Sequence, residues 1–204
     1  MKEYRIRMLD EKPADWSGIA KAEINEYVWG KDYMPVCYAQ VVFVKGDGFY
    51  ARMTCEEKNP KAVYTEFMSG VCRDSCLEFF ASYDASKPDY VNVEMNSIGT
   101  SLIAVGPDRY HRTDIDRFVG GPFEVEAKIE ENCWHVCARI TLTDLEKIYG
   151  LKPETFSAGY AFRGNFYKCG DDTEIVHYGM WNPVGTENPD FHRPEYFGKL
   201  ILEA

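Results

Sequence analysis

Along most of the chain apolar and polar residues alternate with period two, the pattern of strands that turn one face to a core. In EYRIRML, Tyr4, Ile6 and Met8 fall on one face. VCYAQVVFV (36–44) and FYARMTC (49–55) flank KGDG, which predicts an antiparallel hairpin closed by a Gly-Asp-Gly turn. Further strands are predicted at DSCLEFFASY (74–83), YVNVEMN (90–96), SLIAVG (101–106), TFSAGYAFR (155–163), TEIVHYGMW (173–181) and GKLILEA (198–204). FEVEAKIEE (123–131) and CWHVCARITL (133–142) form another hairpin across Glu131 and Asn132. In its second strand Trp134, Val136, Ala138 and Ile140 make the inner face, and Cys133, His135, Cys137 and Arg139 the outer one. One short helix is predicted over 144–149, with Thr143 as N-cap, Glu146 as capping-box partner, Gly150 as the stop and Pro153 beyond. The stretch 105–122 is the longest irregular one, and long connections in compact β-domains are often binding loops.

Roughly ten short strands at close spacing with little helix predict an all-β protein: a two-sheet antiparallel β-sandwich, jelly-roll or immunoglobulin-like, with one short helix. The 204 residues suit a single domain spanning 1–204, without internal repeat or Gly/Ser linker. Aromatics reach 15%, a surplus that fits a β-rich core, a stacking surface, or both.

Charge narrows the partners. The formal net charge of -10, with no Lys/Arg run, disfavours nucleic acid and anionic membranes and suits a neutral or cationic small molecule. The opening MKEYRIRMLDEK has no apolar signal-peptide core, and no stretch approaches ~18 consecutive apolar residues, so the expectation is a cytoplasmic protein with no membrane contact. Seven cysteines, an odd number without any CxxC, are expected to be reduced core thiols. His111, His135, His177 and His192 show no metal-ligand spacing, and no GxGxxG or Walker-type loop is present, so no metal or cofactor is expected.

The remaining chemistry is carboxylates, amides and rings. Glu78 and Glu94 sit mid-strand, where a lone acid is costly unless the face meets water or a partner. If their strands are neighbours, the two serve as a glycosidase acid/base pair, as sugar-hydroxyl ligands, or as a solvated face. Asn92, Glu94 and Asn96 share one face, a ladder of groups suited to adjacent hydroxyls or to plain solvent. Trp181 ends a strand before a Pro-rich turn; its indole either packs under the loop or projects and offers a flat face to a pyranose ring.

DSCLEFF, YVNVEMNSIGT, CWHVCARITLTDL, GNFYKCGD and HYGMWNPV followed by PDFHRPEYFGKLIL occur in that order. Together, from about Trp16 to Leu202, they resemble bacterial carbohydrate-binding module family 9-like domains. The resemblance implies a β-sandwich in which two tryptophans clamp a terminal sugar while acids and amides bond its hydroxyls. Trp181 matches the second tryptophan and Glu78 the acid; Asn92, Asn96 and Asn165 fall in the family's polar segments. The first tryptophan is replaced by Val71 or Cys72 in GVCRDS, with Phe67 as the nearest substitute ring. A stacked ring contributes on the order of 1–3 kcal/mol by analogy with bases on aromatics. Calcium accompanies some members, but no residues here map to such a site.

The function expected is non-catalytic binding of a neutral mono- or oligosaccharide end, in support of carbohydrate catabolism. Trp181 would stack, Glu78, Asn92, Glu94, Asn96 and Asn165 would bond hydroxyls, and Arg109 would close over the ligand. The alternatives are a glycoside hydrolase using Glu78 and Glu94, and an interaction module that has lost the sugar site.

Overall fold

Alternation becomes thirteen strands in the computed structural model, which describes residues 1–204. They are β1 (Glu3–Leu9), β2 (Ala22–Glu23), β3 (Cys37–Val44), β4 (Gly48–Cys55), β5 (Cys76–Ser82), β6 (Tyr90–Asn96) and β7 (Ser101–Gly106), followed by β8 (Thr113–Asp114), β9 (Glu124–Ile129), β10 (Trp134–Thr141), β11 (Ala161–Cys169), β12 (Tyr178–Met180) and β13 (Gly198–Glu203). Two α-helices, α1 (Asp116–Val119) and α2 (Leu142–Tyr149), and three single 3-10 turns, Val71–Arg73, Pro153–Thr155 and Pro194–Tyr196, complete the regular structure. No helix is long and apolar enough to cross a membrane.

The strands join in the order β8-β7-β6-β5-β11-β13-β1-β3-β4-β10-β9, with β12 on β11 and β2 on β3. Both expected hairpins form, β3 with β4 and β9 with β10. The expectation of purely antiparallel pairing fails at β1, which runs parallel to both β13 and β3. Parallel neighbours need a long crossover, and here most of the chain lies between β1 and β13. Residue periodicity assigns faces but carries no strand direction, so this pairing had no local signal. The result is one curled mixed sheet whose halves face each other across the core.

Inward residues of both halves build that core: Leu77, Phe79, Val91, Val93, Phe162 and Phe166 meet Phe49, Met53, Val136 and Ile140. Phe79 stacks on Phe166 at 5.0 Å. Trp134, 0% exposed, confirms the inner face assigned to β10. All seven cysteines are free, as expected, and five are buried.

Two elements start elsewhere than the pattern predicts. The helix begins two residues early, because Thr141, not Thr143, is the N-cap and Asp144, not Glu146, closes the capping box. Thr141 keeps the extended backbone in which β10 ends, so its hydroxyl faces the first free N–H groups. Thr141→Ala is therefore expected to cost about 1 kcal/mol, and Thr143→Ala close to nothing, in matched urea titrations. The last long strand is Ala161–Cys169 rather than 155–163. Gly164 and Asn165 make that stretch look like a turn, yet Gly164 belongs in the strand. A Cβ there would lie 2.7 Å from the Phe80 carbonyl oxygen, so only glycine allows the close approach.

Candidate functional site

On the side of β5 opposite the core, Cys76, Glu78 and Phe80 point outward. Register places Glu78 directly between Glu94 of β6 and Tyr167 of β11, and Cys76 between Asn96 and Cys169. This face is covered by the aromatic-rich segment after β12. Phe191 stacks on Tyr167 at 4.1 Å, Phe197 meets Tyr90 edge-on, and His192 Nδ1 lies 2.8 Å from the Tyr90 hydroxyl. Burial and the charges of Arg112 and Arg109 push His192 down to about 2, so its ring is neutral.

Where that cover stops, a pocket of about 280 Å³ opens. Its floor carries Glu78, Glu94 and Cys169; Cys72, Leu102 and Asp171 form one wall; Tyr178, Asp190 and Phe191 form another; Arg109 and Arg112 reach in from the loop after β7. Gly106 lets that loop fold back tightly, since an added Cβ would sit 2.3 Å from the His111 carbonyl oxygen. Arg109 then spans to Asp190, donating from Nη2 to Oδ1 at 2.9 Å. Arg112 donates from Nε to the Arg109 carbonyl at 3.0 Å and holds Nη1 3.5 Å from Glu94 Oε1.

Glu78 and Glu94 are 3% and 4% exposed. Burial, then the neighbouring Glu94 charge, pushes Glu78 well above the usual carboxylate range. Burial raises Glu94 to about 7 against the pull of Arg112 and Arg109. Two adjacent buried acids do not both ionise readily, so the pair holds at least one proton at neutral pH. The folded chain then binds more protons than the unfolded one between pH 4.5, the ordinary value, and about 7, and stability from this group is lost as pH rises through that window. Glu94→Gln removes the titration. The variant is expected to gain in melting temperature relative to wild type as pH goes from 5 to about 8; a constant difference across a pH series would contradict the assignment.

The structure brings together Glu78, Glu94 and Arg109, and it moves the other expected ligands away. Trp181 is 4% exposed and belongs to the core, edge-on to Tyr4 at 6.4 Å and tilted on Phe166 at 5.5 Å. The structure therefore places the indole in the core and not among the residues that line the pocket. Asn92 lies under the floor, where its Nδ2 donates to Glu94 Oε1 at 3.0 Å and its Oδ1 has no partner. Asn96 is committed to scaffolding: Nδ2 donates to the Tyr64 carbonyl and to Asp74, and Oδ1 accepts from the Thr100 N–H. Asn165 is likewise spent on backbone, binding the N–H groups of Phe166 and Asn182 and the Asn182 carbonyl. Phe67 packs against the core and lines a different depression, so it does not replace the missing tryptophan.

Tyr178, Arg112, Asp171 and Asp190 were missed. For Tyr178 a signal existed: in HYGMW the residue two before Met180 shares its face, and pairing with Cys169 puts that face on the Glu78 side. Four larger depressions, of about 320, 360, 440 and 590 Å³, lie elsewhere. In the one of about 360 Å³ Glu57 already accepts from Trp134 and Ser75, so its carboxylate is turned to the protein.

A curled β-sheet with a polar, arginine-fringed pocket on its outer face defines a small-ligand-binding domain. The family model of carbohydrate-binding family 9 matches residues 7–202, and the chain belongs to that family. Among solved structures it is similar to a candidate carbohydrate-binding protein of Bacteroides uniformis, at 24% identity over 99% of both chains, with a TM-score of 0.82. A family 9 module of Caldicellulosiruptor kristjanssonii in complex with cellotriose is 14% identical over 99% of this chain and 94% of that one, with a TM-score of 0.71. A family 9 module of the same organism in complex with glucose gives 15% identity, 99% and 96% coverage and a TM-score of 0.71. No curated protein matches the chain.

Proposed function

We propose that this protein binds the end of a neutral saccharide, without cleaving it, in the pocket between Glu78, Glu94, Arg109, Arg112 and Tyr178. The observation that carries the reading is the convergence of two carboxyls and two guanidinium groups at one concave site in a family 9 chain. Sugar hydroxyls both donate and accept; the carboxyl pair supplies acceptors and a donor, and the arginines supply donors only. Tyr178, half-buried at the rim and braced edge-on by Phe191 and Trp29, offers the apolar face that Trp181 does not. The volume lies near the lower bound for ligand pockets and suits one sugar unit, with further units outside. The modules solved with glucose and with cellotriose belong to the same family, which supports this ligand class. The proposed role is in support of carbohydrate catabolism, for which such binding is a requirement.

Adjacency of Glu78 and Glu94, with Glu94 near neutrality, favours hydrolysis as a second reading. Glycosidase carboxyls flank the scissile bond, however, whereas these two lie side by side on one floor.

Calorimetric titration with glucose, galactose, xylose and cello-oligosaccharides tests both. Binding is expected for at least one, weakened roughly tenfold or more by Tyr178→Ala and by Arg109→Ala. Recovery of intact ligand after prolonged incubation excludes cleavage. Silence across the panel would leave the interaction-module alternative in its place.

A further inference from the structure

We propose that Cys76, Cys169 and Glu78 form a site for a thiophilic divalent cation, zinc being the reference case, at the floor of the pocket. The β5–β11 ladder sets Cys76 directly opposite Cys169, and Glu78 follows two residues on along the same face. Their two sulfurs and a carboxylate oxygen all lie within 4.8 Å of one another, with Cys169 Sγ 2.9 Å from Glu78 Oε1. Around zinc, with Zn–S near 2.3 Å and Zn–O near 2.1 Å, tetrahedral donors stand roughly 3.5–4 Å apart. The trio therefore needs only small side-chain adjustments.

Two further observations point to a cation. The three residues are 0%, 1% and 3% exposed, so this is not a chance grouping of surface acids. The one hydrogen bond that Glu78 receives comes from a thiol, a weak donor, which leaves a buried carboxyl poorly satisfied. Local charge also fits. Two thiolates and a carboxylate around a dication leave one negative charge, and Arg109 and Arg112 line the same pocket. The other ionisable groups of the pocket are Cys72, Glu94, Asp171, Tyr178, Asp190 and His192. Three protein donors leave a fourth position open toward the pocket, for water or a ligand hydroxyl. Sequence spacing could not expose this set, because its sulfurs come from strands distant in the chain rather than from a CxxC.

Without metal, burial holds the Cys76 thiol protonated, and the hydrogen bond with Cys76, then burial, does the same for Cys169, so binding must displace protons: Cys–SH and Cys–SH become thiolates on the metal and two protons pass to buffer, with a third from Glu78 when it is protonated.

The proposal shares Glu78 with the saccharide reading but does not rest on it, and its test is separable. Full-length chain, stripped with chelator and kept reduced, is titrated with Cd²⁺ and the ultraviolet thiolate-to-cadmium band recorded, then with Zn²⁺ in competition. One equivalent per chain is expected to saturate the band. Cys76→Ser and Cys169→Ser should each abolish it, and Cys133→Ser, on the far half of the sheet, should leave it intact. Should the two serine variants fail to fold, Zn²⁺ calorimetry of the Cys133→Ser chain in buffers of different ionisation enthalpy decides. Release of at least two protons per metal supports the site; release of fewer overturns it. Absence of the band in excess metal, or a band indifferent to both substitutions, also overturns it. A band without sugar binding removes the saccharide reading alone, and sugar binding without a band removes this one alone.

Discussion

Trp181→Ala is expected to lower the free energy of unfolding by about 3–5 kcal/mol, as large-to-small changes of buried aromatics do. The indole sits where the last loop crosses the mouth of the sandwich. Its main-chain N–H donates to the Phe166 carbonyl at 2.9 Å, and its ring lies against Tyr4 and Phe166. Gly198 passes beneath it so closely that an added Cβ would sit 2.3 Å from the ring. Truncation leaves a void between β1, β11 and β13 that a well-packed core fills poorly. Denaturant unfolding reads the loss directly. A variant with wild-type stability and abolished sugar binding would return the indole to the ligand and refute the placement described above. The contrast with Tyr178→Ala is informative, since that ring is half-buried and its removal should act on binding far more than on folding.

Lys168→Met is expected to cost about 3–5 kcal/mol through the acid it leaves behind. Lys168 is 0% exposed and points to the core side of β11. Its ammonium stands 3.5 Å from Glu57 Oε2, donates to the Cys169 carbonyl at 3.0 Å and meets His177 Nε2 at 2.8 Å. An ammonium only donates, so His177 accepts at Nε2 and carries its proton on Nδ1, which donates to the Ile175 carbonyl at 2.7 Å. Burial and the Lys168 charge hold His177 down to about 4, in keeping with that neutral form. Removing the lysine strands Glu57, which Trp134 Nε1 and Ser75 Oγ also bond, as a charge without a counter-ion. Lys168→Met combined with Glu57→Gln should recover most of the loss in thermal unfolding. If the double variant is no better than the single one, the ion pair is not what the lysine supplies.

Strand faces were legible wherever alternation ran for several residues. The inner face of β10 and both hairpins were readable in this way, whereas Glu78 and Glu94 could be set face to face only on the condition that their strands pair, which the structure supplies. Trp181 was misread because β12 is only three residues long and the indole falls just past it, where parity no longer tells inside from outside. Asn96 and Asn165 were misread for a different reason. A buried amide is as useful to an unpaired backbone group as to a sugar, and which one it meets depends on loops folded over from afar. Arg112, Asp171 and Asp190 lie in such loops, and their convergence is a property of the assembled surface.

The parallel seating of β1 between β13 and β3 has a consequence for how the molecule comes into being. On the ribosome β1 emerges before every other strand and β13 after them all. The seam that unites the two halves therefore closes only late, by a contact between the first and last strands of the domain. Such wide loop closure slows folding and leaves apolar strand edges waiting for their partner. The first strand is laid early, and its far edge waits for the last.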